Sequence, residues 1–294
     1  MMADGKNKKI AWLYLAPALF LLLVFTFYPI VNTFIISVLV DYDLMAGGFD
    51  RISFIAYWRL LNFPAFRQSM YVTAVIVFIT VPLSIIIALL IAVTLNSIKP
   101  FQKIFQTIFF LPYVTNSIAI GMVFAVMFQT QGGLINRLFG INVNWIAGGA
   151  SFGTGLFVLS VFIIWNSLPF MILIFLSGLQ NIDKQYYQAA KIDGASKKKI
   201  FRRITVPLLS PMIAFILITS VMGAFREFTA VIGVFGVNLG PVGLDREFMT
   251  IVGFIYEFMV ERPDYAAAAA VILFVIILLF TAINFWVSKK RVHY

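Results

Sequence analysis

Five stretches of this chain, 11–40, 71–95, 104–128, 152–179 and 265–287, contain no Asp, Glu, Lys or Arg. Each is longer than the roughly 20 residues that cross a bilayer as an α-helix. A sixth stretch, 207–234, is interrupted only by Arg226 and Glu227. Inside hydrocarbon every backbone N–H and C=O has to find a partner, so only helices and closed barrels can span it. Barrel strands would show alternating runs of about ten residues; these runs are continuous. Charged residues make up only 12% of the chain, against about 25% in an ordinary soluble domain. The expected fold is therefore all-α, a polytopic membrane protein with six transmembrane helices.

The placement of the remaining charges predicts orientation. The first apolar run is far longer than the ~7–15-residue core of a signal peptide, and no small-x-small site closes it, so it reads as a retained anchor. Lys6, Lys8, Lys9, Lys99, Lys103, seven Lys and Arg between 184 and 203, and Lys289, Lys290 and Arg291 fall on one side of a six-span arrangement. Arg51, Arg59, Arg67, Arg137, Arg246 and Arg262 fall on the other, with most of the acidic residues. The richer side is cytoplasmic by the positive-inside rule. Both termini and the loop 180–206 are thus expected in the cytoplasm. The net charge of +10 suits topology and anionic headgroups, and nucleic-acid binding is not needed to explain it.

The chain divides into a cytoplasmic tail 1–10, a six-helix membrane domain 11–287 and a cytoplasmic tail 288–294. The outer connections 41–70, 129–151 and 235–264 are too short to build a core of their own. The stretch Gly236–Gly243, with Gly240-Pro241, is expected to end the fifth span. Pro17, Pro29, Pro82, Pro112, Pro169, Pro207 and Pro211 sit in or near spans. Such prolines kink helices around cavities, and they are also simply frequent in membrane helices. The run Ala266–Ala270 suits close helix packing. With no cysteine there is no thiolate metal site or thiol nucleophile, and no metal or cofactor is expected. His293 reads as a solvated tail residue.

The polar block 180–206 predicts a knob of two short helices. Residues 183–192 are helical in pattern, with Asp183 or Asn181 as the cap. Gly194 is suited to a left-handed reversal. A second helix starts near Ser196, with Ile200, Phe201 and Ile204 on one face. Ala189 and Ala190 offer a smooth surface for a partner's groove. The spacing alone fits a docking element and an ordinary basic loop equally well.

The block Gln188-Ala189-Ala190, then Asp193-Gly194, then Ile204 and Val206-Pro207 after fixed intervals, resembles the Glu-Ala-Ala (EAA) motif. That motif belongs to the membrane subunits of binding-protein-dependent ABC importers. Gln188 replaces the usual Glu, Val206 the usual Leu, and Asp183 stands where the family often has Pro. Trp12-Leu-Tyr-Leu-Ala-Pro17 through Tyr28-Pro29 resembles the first span of sugar permeases of the maltose and glycerol-3-phosphate type. Similar likenesses cover Phe110-Leu-Pro-Tyr113, Trp165 with Pro169, Gly223-Ala-Phe225 through Leu239-Gly-Pro241, and Asp264-Tyr265-Ala-Ala-Ala. The resemblance implies an ABC type I importer permease fold in the bacterial or archaeal cytoplasmic membrane. It implies a second, homologous permease subunit and two ATPase subunits gripping the cytoplasmic coupling-helix loop. It also implies an extracytoplasmic solute-binding protein and a carbohydrate substrate. Gln188, Ala189, Ala190, Asp193, Gly194, Ile204 and Pro207 would be the coupling residues.

Tyr113, Ser117, Ser167, Phe170, Arg226 and Thr229 match family positions that line the sugar path, with Asn166 beside them. Hydroxyls and amides match sugar hydroxyls, and aromatic rings match sugar faces; each residue also fits plain helix packing. Arg226 and Glu227 are costly in a membrane and call for a polar cavity, a partner subunit or snorkelling to the interface. Treated as one straight helix from Pro207, the fifth span puts Arg226 roughly 28 Å up, in the outer half. Arg226 stands where relatives often have a neutral residue, which would favour an anionic sugar such as a uronate or sugar phosphate. The chain has no Gly-x-x-x-x-Gly-Lys-Ser/Thr loop and no His or Cys in a span, so it is not expected to be an enzyme. An ion-coupled secondary transporter would have only Glu227 as its intramembrane acid.

Overall fold

The computed structural model describes residues 4–98, 102–241 and 246–291. Lys99, Gly243, Asp245 and His293 lie outside the described residues. In chain order the elements are α1 (Asp4–Leu22), α2 (Tyr28–Ile36), β1 (Leu39–Val40), β2 (Arg51–Ile52), α3 (Ile55–Leu61) and α4 (Pro64–Ser97). Then come α5 (Gln102–Val114), α6 (Ser117–Met127), α7 (Leu134–Phe139), α8 (Phe152–Asn181), α9 (Lys184–Ile192) and α10 (Lys197–Ile200). The last are α11 (Val206–Leu208), α12 (Ser210–Phe225), α13 (Thr229–Phe235), α14 (Ile251–Phe258) and α15 (Pro263–Arg291). Residues 4–10, expected as a tail, already belong to α1, and α15 likewise runs into the expected C-terminal tail.

Among the described residues, four stretches are long and apolar enough to cross a membrane unbroken: Trp12–Ile36, Pro64–Ser97, Phe152–Asn181 and Pro263–Val287. The expected spans 104–128 and 207–234 are broken, so the six apolar runs are not six continuous rods. The first break falls at Asn116, whose extended backbone (ψ 120°) starts α6. Its side-chain oxygen accepts from the N–H groups of Ile118 (2.9 Å) and Ala119 (3.2 Å). Pairing these orphan donors makes a new helix start tolerable at membrane depth. The other run bends by 65° at Leu209, between α11 and α12, and breaks again at 226–228 before α13. The straight-helix height for Arg226 therefore does not apply.

Among the described residues two π-helical turns occur, at Leu23–Phe27 and Phe201–Thr205, and each ends two residues before a proline, Pro29 or Pro207. A proline ring clashes with the carbonyl four residues back and has no N–H to give it. Widening the preceding turn removes the clash: Tyr28 N–H bonds Leu23 O and Val206 N–H bonds Phe201 O, five residues back. Pro17, Pro82 and Pro169 instead lie inside α1, α4 and α8.

The chain forms two compact units. The first comprises residues 1–66 and 254–272. In it β1 and β2 pair antiparallel, Leu39 opposite Ile52. Asp41, at φ 51°, begins the turn between them. The Asp43 carboxylate accepts from the N–H groups of Ala46 (3.1 Å) and Met45 (2.7 Å), which hold it below its ordinary pKa. Arg262 ties the start of α15 to this turn, with Nη2 3.3 Å from both Asp41 Oδ1 and the buried Asp264 Oδ2. Arg59 Nη1 lies 3.7 Å from Asp41 Oδ2. The Arg262 guanidinium also sits 4.0 Å from the Tyr265 ring centroid. Phe63 meets Phe254, Phe258 and Tyr265 edge-on. Ala266, Ala267, Ala268 and Ala269 are buried, as small residues at a close helix contact should be.

The second unit comprises residues 67–253 and 273–294. One buried cluster joins Ala88, Ala92 and Leu95 of α4, Met171, Ile172, Phe175, Leu176 and Leu179 of α8, and Leu209 and Ile216 at α12. The two short helices α6 and α13 pack glycine on glycine: a Cβ on Gly121 would lie 2.6 Å from Gly233 Cα. Phe152, Phe248 and Phe235 form a stack, with near-parallel centroids 5.0 and 4.5 Å apart. The connection between α6 and α8 closes on buried Asn136. Its Nδ2 donates to the carbonyls of Thr130 (3.1 Å) and Val143 (2.9 Å), and its Oδ1 accepts from Trp145 Nε1 (2.8 Å). Glu247, between α13 and α14, has Oε2 buried with no hydrogen-bond partner among the described residues, and burial pushes its carboxyl above the ordinary value.

Candidate functional site

Two places in the second unit carry polar chemistry on an apolar scaffold. The first is a cavity of about 260 Å³ whose wall is drawn from α4, α5, α8, α12, the break at 226–228 and α13. Tyr113, Asn166, Ser167, Phe170 and Glu227, all singled out from sequence, line it. Tyr113 and Phe170 face each other nearly parallel, 17° between planes and 6.0 Å between centroids. Asn166 Nδ2 donates to Ser117 Oγ at the first turn of α6 (3.2 Å), so Ser117 supports the wall from behind. Ser167 Oγ donates to the Ile164 carbonyl (2.8 Å) and shares a hydroxyl–hydroxyl hydrogen bond with Ser84 (3.0 Å).

Glu227 owes its position to the break in the fifth span. Its Oε1 accepts from the N–H groups of Ala230 (2.9 Å) and Phe228 (3.0 Å) and lies 3.4 Å from Thr229 Oγ1. The carboxylate thereby pairs orphan donors at the start of α13, and negative charge is favoured at a helix N-terminus. Thr250 Oγ1 donates to the Glu227 carbonyl (2.7 Å). Thr229 is exposed and bonded to Glu227. Arg226 is not part of the cavity wall: it ends α12, is exposed, and its Nε donates to the Met222 carbonyl (3.3 Å).

Sequence reading missed Thr80, Ser84, Thr219, Ser220 and Gly223, which also line the cavity. Thr80 and Ser84 are four apart, one turn of the same helix face; that hydroxyl pair was the available signal.

The second place is the knob after α8. Asp183 caps α9 by accepting from Gln185 N–H (2.9 Å). The helix closes as a Schellman turn: Ala195 N–H bonds Ala190 O (2.9 Å) and Gly194 N–H bonds Lys191 O (3.1 Å), with Gly194 at φ +68°. That is the left-handed conformation that glycine adopts without a Cβ penalty. Ser196 caps the following helix from Lys199 N–H (3.4 Å). Tyr187 Oη and Thr205 Oγ1, 3.3 Å apart, join the two halves, and Ala190 is buried while Ala189 and Gln188 are exposed. Asp193 follows α9 and is exposed; Ile204 is half-buried, and Pro207 is the second residue of α11. Ile192 is 86% exposed and Tyr186 55%, an apolar surface with no occupant among the described residues of this chain.

Comparison with known proteins gives this geometry a context. Residues 81–293 match the family model described as "Binding-protein-dependent transport system inner membrane component". The chain is 33% identical over 294 residues to the arabinooligosaccharides transport system permease protein of Bacillus subtilis (strain 168), covering 96% of this chain and 90% of the relative. It is 31% identical to the lactose transport system permease protein of Rhizobium radiobacter, covering 95% and 94%. It is 30% identical to the trehalose/maltose transport system permease protein of Thermococcus litoralis, covering 97% and 96%. In fold it is similar to a chain of a bacterial ABC transporter involved in the import of the acidic polysaccharide alginate. There the TM-score is 0.81 at 20% identity, covering 99% of this chain and 98% of that one. The apolar helical spans, the family match and these relatives agree, and the chain belongs to the family of inner membrane components of binding-protein-dependent transport systems.

Proposed function

We propose that the chain forms half of the translocation path of an ABC importer for a sugar or oligosaccharide. ATP hydrolysis takes place on two separate ATPase subunits, which act through the 180–206 loop. A second homologous permease supplies the other half of the path, and an extracytoplasmic solute-binding protein delivers the solute. The observation that carries this reading is the cavity itself. It places hydroxyls, an amide, a carboxylate and two parallel aromatic rings inside an otherwise apolar helical unit. Polar groups at membrane depth are expensive and mark a solute route, and this mixture is what sugar hydroxyls and ring faces require. The carbohydrate names of the relatives point to the same substrate class.

For the coupling role, the support is the exposed Tyr186, Ala189 and Ile192 surface on a helix locked by its own cap, Schellman turn and Tyr187–Thr205 contact. A rigid helix presenting smooth apolar surface suits insertion into a partner's groove. The charge distribution supports placing this loop and both termini in the cytoplasm.

The test is reconstitution of the complete complex in proteoliposomes with its binding protein. Uptake of neutral oligosaccharides such as arabinotriose should require ATP and both ATPase subunits. The chain alone should show none under proton or sodium gradients. Gradient-driven uptake by the chain alone would replace the importer reading with a secondary transporter.

A further inference from the structure

Among the described residues the cavity wall carries one formal charge, and it is negative: Glu227. Arg226, which would have recommended an anionic solute, is outside the wall. Three of the hydroxyls on the wall, those of Thr80, Ser167 and Thr219, lean the same way. Thr80 Oγ1 gives its proton to the Ile76 carbonyl (2.8 Å). Thr219 Oγ1 gives its proton to the carbonyls of Phe215 (2.9 Å) and Ile216 (3.1 Å). Ser167 gives its own to Ile164. A hydroxyl has one proton and two lone pairs, so each of these groups has only acceptor capacity left for a solute.

The wall is therefore rich in acceptors and anchored by a carboxylate fixed on a helix start. We propose that Glu227 is a specificity-determining residue that makes this passage a charge filter, admitting uncharged glycans and refusing uronates and phosphorylated sugars. This rests on the importer reading above and names its substrate class. A neutral glycan brings hydroxyl donors that match the acceptors. A uronate brings a carboxylate, which can only accept and which meets like charge at the half-buried Glu227, where repulsion opposes its binding.

The experiment is equilibrium binding to the purified whole complex without its binding protein, which removes that protein's own selectivity. The probes are arabinotriose, lactose and maltotriose against digalacturonate and trigalacturonate. In Glu227→Gln the amide oxygen can still accept from Phe228 and Ala230, so the cap survives and only the charge is lost. Wild type should bind the best neutral probe at least about tenfold more tightly than either uronate, and the Gln variant should reduce that ratio by about tenfold. In wild type the ratio should also fall as salt is raised, because screening weakens the repulsion; this second reading does not depend on the variant folding. Uronate binding equal to neutral binding in wild type, or an unchanged ratio in a folded Gln variant, would overturn the filter and leave the importer reading standing. Failure of every neutral probe to bind would overturn both.

Discussion

Gly194 offers the sharpest test of the knob, because its environment separates backbone strain from crowding. A Cβ built there meets nothing within 4 Å, so no side chain is excluded by space. The backbone, at φ +68°, is in the left-handed region, where an L-residue pays roughly 1–2 kcal/mol and Asn pays less, because its side chain bonds locally. Relative to glycine, Asn should cost a few tenths of a kcal/mol, Ala about 1 and β-branched Val about 2 or more. One to two kcal/mol changes the population of a marginal local structure by about 5- to 30-fold. The reconstituted complex should therefore keep near-normal transport per ATP in Gly194→Asn, lose part of it in Gly194→Ala, and hydrolyse ATP with little transport in Gly194→Val. Transport and phosphate release measured on the same vesicles give the ratio. Asn is larger than Ala, so an order that follows volume would refute the strain argument. Wild-type coupling in the Val variant would refute the docking role.

Three further outcomes follow from the packing. Asn136→Leu strips the carbonyls of Thr130 and Val143 and the Trp145 indole N–H of their partner. At about 1–3 kcal/mol per buried orphan, it should destabilise the 128–151 connection by roughly 3 kcal/mol; this is readable as a shifted Trp emission and faster proteolysis there, and an unchanged digestion pattern would contradict it. Gly121→Val forces a side chain onto the Gly233 backbone and should lower the melting temperature of the detergent-solubilised protein, by about 1–3 kcal/mol of overpacking, whereas Gly223→Ala, with open space at its Cβ, should not. The raised Glu247 pKa means its neutral form is the one the fold favours. The stability it contributes is present below the ordinary Glu pKa of about 4.3 and is lost as pH rises through the folded value, so Glu247→Gln should raise the melting temperature at pH 7.5 and have no effect near pH 4; the reverse order would refute the burial argument.

Much of the fold was legible before any coordinates. Charge-free runs announce helices because hydrocarbon leaves backbone groups no other partner. The cap at Asp183 and the reversal at Gly194 could be read because capping and left-handed turns depend on residues a few positions apart. The breaks at Asn116 and at 226–228 were less legible, although their chemistry is also local. Asn116 is a strong cap, but the apolar run around it is long enough to mask the interruption. Glu227 drew attention as a buried charge, and its job as the cap of α13 was invisible while the segment was treated as one rod.

What the sequence determined by itself is the set of segments that must leave water and the short-range signals that start and stop them. Both follow from composition and spacing along the chain. Tertiary structure alone decided which polar groups share a wall: it set Glu227 and Thr80 on one cavity, turned Arg226 away from it, and laid Gly121 against Gly233. Those relations join residues far apart in sequence, and their side chains meet only after bends and breaks in separate helices have fixed where each face points.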